Sequence, residues 1–239
     1  MNGVSPSAID RVKRFGREVG RMKVVGDIVD HLNEYGEAYL FGGGARDAFF
    51  GRGRSVNDLD VVVSGHIDFN SACFDRIDIR RTNFGGYRFH AGDFEMDVWR
   101  LDESYAFRRN PCLPVGIDSL LDTVCFTTDS IAVSLESGSV FLSTAFARAA
   151  AHSTLGFVAS PEALDPLVAA RAARLMLKLG LAPDRHVASY LLMAVESFGV
   201  SSLLEQEARW HGVHYLHRMS LDALLYESRR VDRYSILDL

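Results

Sequence analysis

Apolar and polar positions alternate along the chain with two different periods. Between residues 6 and 35, Ile9, Val12, Phe15, Val19, Met22, Val25, Ile28 and Leu32 recur at steps of three and four. That spacing predicts a helix, or two joined near Gly20, with one apolar stripe. A short apolar run at 39–41 then meets Gly42, Gly43 and Gly44, followed by Arg46-Asp47 and a predicted short helix. A second apolar run, Leu59 with Val61, Val62 and Val63, carries Asp58 and Asp60 and reads as a strand. Residues 68–76 are expected to form a short helix, with a strand near 77–81. Tyr87 and Phe89, then Phe94, Met96 and Val98, alternate with Arg88, His90, Glu95, Asp97 and Trp99 around Ala91-Gly92-Asp93, the pattern of a hairpin.

The later part changes period. Residues 117–121 read as a short helix and 133–141 as a hairpin turning at Glu136-Ser137-Gly138. From Ser160 the pattern is helical, with Pro161 as the expected start and Leu164, Leu167, Ala170 or Arg171, Arg174, Leu175 and Lys178 at helical spacing. Helices at about 185–198, 201–211 and 221–228 follow. The expected fold class is therefore α+β: a mixed-sheet head with an N-terminal helix at 1–155, then a small all-helical domain at 156–239.

Composition narrows the class without naming a function. The chain has 239 residues, 48% of them hydrophobic and 24% charged, which is ordinary for a globular protein with a full core. A net charge of −5 gives no overall pull toward nucleic acid. The most basic stretch, Arg11, Arg14, Arg17, Arg21 and Lys23, reads as a solvated helix face rather than an RNA-binding one. Cys73, Cys112 and Cys125, odd in number and widely spaced, suit reduced thiols in a cytoplasm. No apolar run is expected to reach transmembrane length, and no membrane partner is expected.

The chemistry concentrates between Gly42 and Asp60. Strand residues alternate faces, so Asp58 and Asp60 project from one side, about 7 Å apart along the strand. Two like charges on an otherwise apolar strand repel, and a divalent cation between them removes the repulsion. The glycines allow backbone N–H groups to approach an anion closely. A Gly-Gly-Gly turn alone is usually only a turn, and an Asp-x-Asp alone is often a solvated edge. Together they read as a magnesium and phosphate site. Asp97 joins the two carboxylates if its strand pairs beside theirs, with Glu95 competing for that place. His211, His214 and His217 have metal-like spacing but no carboxylate or cysteine beside them, and read as solvated or satisfied histidines.

These residues resemble the head of the DNA polymerase β-like nucleotidyltransferases, and more closely the bacterial poly(A) polymerase and CCA-adding tRNA nucleotidyltransferase family. That family carries Gly-Gly-x-x-Arg-Asp, a short helix and Asp-x-Asp on the next strand. Gly42, Gly43, Arg46, Asp47, Asp58 and Asp60 fall on those positions, and the stretches around Arg80–Phe89 and Phe94–Phe107 are similar as well. The resemblance implies that Asp58, Asp60 and Asp97 hold Mg²⁺ or Mn²⁺, and that Gly42, Gly43 and Arg46 hold the triphosphate of an NTP while Asp47 orients the turn. It further implies that Arg171 and Arg174 contact the nucleotide from the neck helix.

The resemblance also shows departures. Thr123, Val124 and Cys125 stand where relatives have Arg-Arg-Asp, with Phe126 and Thr127 kept and Asp129-Ser130 in place of Asn-Ala. Arg80, Arg81, Arg88, Arg108 and Arg109 are candidates to compensate. In the neck motif Asp165, Pro166, Arg171, Ala172 and Arg174 match, but Val168 replaces an arginine and Leu164 a glutamate. A valine lacks the charged donors of a bidentate base contact, so building a CCA end is not the expected task. The expected function is metal-dependent transfer of a nucleoside monophosphate from an NTP to an acceptor hydroxyl, an RNA 3′ end being one candidate and a DNA duplex not. The long RNA-gripping body of the tRNA enzymes is not expected here. Two alternatives stand beside this: a non-catalytic nucleotide- or RNA-binding module, and a transferase acting on a protein or small molecule.

Overall fold

A computed structural model describes residues 4–53, 58–75, 77–82, 85–211 and 216–234. The chain divides into two compact units, Met1–Val124 with Asp129–Ala147, and Cys125–Thr128 with Arg148–Leu239.

The first unit opens with α1 (Pro6–Arg21) and α2 (Lys23–Tyr35), broken at Met22, whose backbone is extended. The predicted stripe is the buried one: Val12, Val19, Ile28 and Leu32 are fully enclosed. Then come β1 (Ala38–Phe41), α3 (Gly43–Phe49), β2 (Asp58–Val63), β3 (Arg80–Arg81), β4 (Tyr87–Ala91) and β5 (Phe94–Arg100). Short helices α4 (Tyr105–Arg109) and α5 (Ile117–Leu121) precede β6 (Ile131–Ser134), β7 (Val140–Leu142) and α6 (Thr144–His152).

The strands form one mixed sheet in the order β3-β4-β5-β2-β1-β6-β7. β2 pairs parallel with β5 and antiparallel with β1. As a central strand it buries Leu59, Val61, Val62 and Val63 completely, each contributing roughly 1.5–3 kcal/mol. This anchors the strand end that carries the two aspartates.

The second unit holds α7 (Pro166–Leu179), α8 (Arg185–His211) and α9 (Arg218–Tyr234), with the two-residue strands β8 (Thr154–Leu155) and β9 (Ala182–Pro183) pairing parallel. The two helices expected at 185–198 and 201–211 are the halves of α8, separated at Gly199, whose φ of 77° is left-handed. Small residues Ala169, Ala170, Ala172 and Ala173 bury one side of α7, which packs on α8.

Four sequence expectations change. Of the helix expected at 68–76, the described residues 68–75 form only a single 3-10 turn at Ala72–Phe74, and Arg76 lies outside the described residues. The Asp68 carboxylate accepts from the Asn70 backbone and side chain at 2.9 and 2.8 Å, a local turn that competes with helix. The strand near 77–81 shrinks to Arg80–Arg81. α7 starts at Pro166 rather than Pro161, because Asp165 caps it by accepting from the Leu167 backbone N–H at 2.8 Å. Finally, residues 185–210 are long and apolar enough, by length and composition, to cross a membrane. Gly199 interrupts that run, in which Val187, Leu191, Ala194 and Leu203 are fully buried while Met193, Phe198 and Trp210 are exposed.

Candidate functional site

The site is built at the parallel junction of β2 and β5. Asp58 opens β2 exposed, Leu59 is buried and Asp60 is half-buried, so alternation puts both carboxylates on one side. In register, Asp60 lies directly beside Asp97 and Asp58 beside Glu95. Met96 and Val98 are buried on the opposite face of β5. Register gives each of the two candidates a neighbour on β2: Asp97 adjoins Asp60 and Glu95 adjoins Asp58.

Arg88 on β4 stands opposite Asp97 in the antiparallel β4–β5 pair. Its Nε and Nη2 donate to the two Asp97 oxygens at 2.7 and 2.5 Å, and Nη1 approaches Glu95 at 3.2 Å. Hydrogen bonding to Asp97 raises the guanidinium pKa, partial burial opposes this, and the charges of Asp97, Glu95 and Asp58 add to the rise. All three carboxylates therefore act on one cation. Among the described residues no three His, Cys, Asp or Glu side chains stand together as a ready-made cation cage. The donor chemistry still suits a hard divalent ion, which takes carboxylate oxygens. Asp58, Asp60 and Asp97 are donors of that kind, with Asp97 also accepting from Arg88.

Next to these carboxylates is the glycine turn. Gly42 adopts φ 61°, ψ −116°, a conformation open only to glycine, and its N–H donates to the Ile131 carbonyl at 3.0 Å. Gly43 follows at the start of α3, and a Cβ there would sit 3.7 Å from Asp60 Oδ2 and 3.7 Å from Arg46 Nη2. The turn's backbone is therefore what borders the Asp60 carboxylate.

Arg46 does not face solvent as a phosphate ligand would. It is 8% exposed, donating to Asp47 at 2.9 Å and to Asp129 at 2.6 Å. Burial disfavours its charge, but the carboxylates of Asp129 and Asp47 outweigh burial and raise its pKa. The sequence marks Asp129 only as a departure from the relatives' motif, with no role attached. It stands 83 positions from Arg46, and no local pattern joins the two.

A cleft of about 410 Å³ opens at Asp60 and Asp97. Phe41, Tyr87, Trp99, Tyr105, Leu120 and Val124 give it an apolar wall, and Thr123 lines it as well. Thr123 and Val124, uncharged where relatives have arginines, are thus part of its surface.

In the second unit, Arg171 on α7 is exposed and lies 5.8 Å over the ring of Phe126. Arg174 instead meets Glu207 of α8 at 3.1 Å, and Glu207 is completely buried. Tyr190 holds the approach to α7, its hydroxyl accepting from the Asp165 N–H at 2.8 Å. Of the histidine trio, His214 lies outside the described residues.

No protein-family model and no curated protein matches the sequence. Solved structures do. A tRNA-processing enzyme complex shares 20% identity over 85% of this chain with a TM-score of 0.61. A tRNA nucleotidyltransferase complexed with a primer tRNA and an incoming ATP analogue shares 20% over 82%, with a TM-score of 0.57. The Thermotoga maritima CCA-adding enzyme complexed with tRNA shares 16% over 95%, with a TM-score of 0.59. The chain spans 56%, 58% and 52% of these three chains, a little over half of each. The resemblance read from Gly42 to Asp60 therefore holds as a common fold, the α+β head with mixed sheet followed by a helical unit.

Proposed function

We propose that this protein is a metal-dependent nucleotidyltransferase, moving a nucleoside monophosphate from an NTP to an acceptor hydroxyl. The observation that carries the reading is the register of β2 and β5, which sets Asp60 beside Asp97 with Asp58 on the same side of the sheet. Carboxylates gathered where a triphosphate must come would repel it without a divalent cation between them, which supports metal dependence.

Asp58, Asp60 and Asp97 would hold Mg²⁺ or Mn²⁺, which when bound supplies charge stabilisation for the phosphoryl oxygens and a more acidic acceptor hydroxyl. The chain's own residues do the rest. The Gly42-Gly43 backbone leaves room for triphosphate oxygens beside Asp60. Arg46, locked between Asp47 and Asp129, holds the turn in shape rather than binding phosphate itself. Asp97 takes the proton of the acceptor hydroxyl as its oxygen bonds to the α-phosphorus and pyrophosphate leaves. Arg171, exposed on α7, contacts the nucleotide, while Arg174 supports α7 through Glu207.

Neighbouring folds solved with tRNA, CTP or an ATP analogue support an NTP donor and make an RNA 3′ end one acceptor to test. The uncharged wall of the cleft favours a second, small-molecule acceptor. The test is label transfer: purified protein with Mg²⁺ or Mn²⁺ and each of four α-labelled NTPs, with total cellular RNA and without it. Label in RNA or in a small product, with pyrophosphate released, supports the reading. Nucleotide binding with no transfer under any condition would replace it with a binding module.

A further inference from the structure

The cleft beside Asp60 and Asp97 has a character of its own. Its floor is the pair of carboxylates and its walls are largely aromatic and aliphatic. Among the described residues Arg88 is the only cationic side chain lining it, and Arg88 is already held by both oxygens of Asp97. An anionic ligand entering here would meet two carboxylates and a cation committed to one of them. Size suits a compact molecule: about 410 Å³ falls in the usual range of small-ligand pockets.

Two further features specify what fits. Trp99 is fixed by an edge-to-face contact with Phe41, ring centroids 6.2 Å apart and planes at 85°. Tyr105, 52% exposed, stands at the same cleft. Rings held this way favour stacking or edge contact with another flat ring. Ser104 also lines the cleft, is 5% exposed, and its buried hydroxyl has no hydrogen-bond partner among the described residues. It precedes α4 at the capping position yet makes no side-chain cap. A buried hydroxyl without a partner is costly unless something else satisfies it.

We infer that this cleft binds an uncharged aromatic alcohol, which serves as the acceptor of the transfer. The ring lies against Trp99 and Tyr105, a polar group of the ligand meets Ser104 Oγ, and the alcohol oxygen points to Asp97. This rests on the proposed transferase reading for the acceptor role. In that role the alcohol oxygen bonds to the α-phosphorus, the bond to pyrophosphate breaks and the alcohol proton passes to Asp97. Binding itself needs neither metal nor nucleotide, so it is testable apart from transfer.

The chain has two tryptophans, so ¹⁵N-labelled protein gives two indole N–H resonances, assigned with Trp210→Phe. 4-Hydroxyphenethyl alcohol, titrated without metal or NTP, is expected to shift the Trp99 resonance saturably and leave Trp210 unmoved. Phenyl phosphate, the same ring with an anionic group, should bind at least roughly tenfold more weakly, since the cleft floor is anionic. Ser104→Val should weaken the alcohol about fivefold through one lost hydrogen bond, and Val124→Arg should abolish binding by filling and charging the wall. No saturable shift at Trp99, equal binding of phenyl phosphate, or indifference to both variants would overturn the inference. So would a ribo-oligonucleotide that shifts Trp99 at lower concentration than the alcohol. Transfer to RNA without alcohol binding would leave the transferase standing and remove this acceptor.

Discussion

Arg88 and Asp97 face each other across β4 and β5, and both carboxylate oxygens of Asp97 accept from the one guanidinium, at 2.7 and 2.5 Å. The pair engages both Asp97 oxygens, the kind of atom a divalent cation takes. Its side chains are 50% and 24% exposed, so solvent screens it and its worth is about 1 kcal/mol or less. A cation can therefore displace Arg88 at small cost. Arg88→Gln is expected to tighten Mn²⁺ binding by up to about fivefold, measured by calorimetry without nucleotide. Unchanged or weaker binding would mean that Arg88 positions Asp97 for the metal rather than competing with it.

The two glycines of the turn should separate by their effects. Gly42→Ala forces a side chain into a glycine-only conformation and should cost about 1–3 kcal/mol of stability, seen in denaturant unfolding. Gly43→Ala adds a methyl at ordinary contact distance from Asp60 and Arg46, so the fold should hold while NTP affinity falls. A Gly43→Ala protein that binds NTP normally would show that triphosphate does not pass along this backbone.

Arg171 and Arg174 share a helix but not a role. Arg174→Ala leaves the buried Glu207 carboxylate without that cation and is expected to destabilise by roughly 3–5 kcal/mol. Arg171→Ala removes an exposed side chain whose contact with the Phe126 ring is worth about 0.5–1 kcal/mol, and should mainly weaken nucleotide binding. Thermal melts with nucleotide titrations distinguish the two. The reverse assignment would place Arg174, not Arg171, at the nucleotide.

Alkaline pH should expose Tyr39. Its ring is 7% exposed and its hydroxyl donates to Glu37 at 2.7 Å. Burial, then the hydrogen bond and charge of Glu37, raise its pKa above the ordinary 10.0. A raised folded-state pKa means stability fully present below about pH 10 and lost as pH climbs toward the folded value. Tyr39→Phe should lose about 1 kcal/mol near neutrality yet decline less steeply above pH 10. Some slope should remain, because the pKa of Tyr190 is raised by burial too. Identical alkaline profiles for both proteins would refute the assignment.

What the sequence revealed and what it hid follow from distance along the chain. The period of two placed Asp58 and Asp60 on one face, and Asp97 opposite Met96 and Val98, before any pairing was known. The three glycines marked the turn. The role of Arg46 was hidden, because its partner Asp129 lies 83 residues away and replaces an unrelated motif position. Arg174 was hidden in the same way, since nothing local announces a buried Glu207 on α8. The start of α7 was misplaced because Ser160-Pro161 and Asp165-Pro166 are equally good signals, and only the cap from Asp165 to Leu167 separates them. The apolar cleft was legible only in part: Thr123 and Val124 announced lost charge, but not that Trp99, Tyr105 and Ser104 join them.

The central claim is that Asp58 and Asp60 serve transfer and not folding. Asp58 is exposed and Asp60 half-buried, so Asp58→Asn and Asp60→Asn should each change stability by no more than about 0.5 kcal/mol. Rates of label transfer from α-labelled NTP in Mg²⁺ should fall by roughly a thousandfold or more, the several kcal/mol expected for lost metal stabilisation. Transfer retained within tenfold of the parent protein in either folded variant would contradict the account.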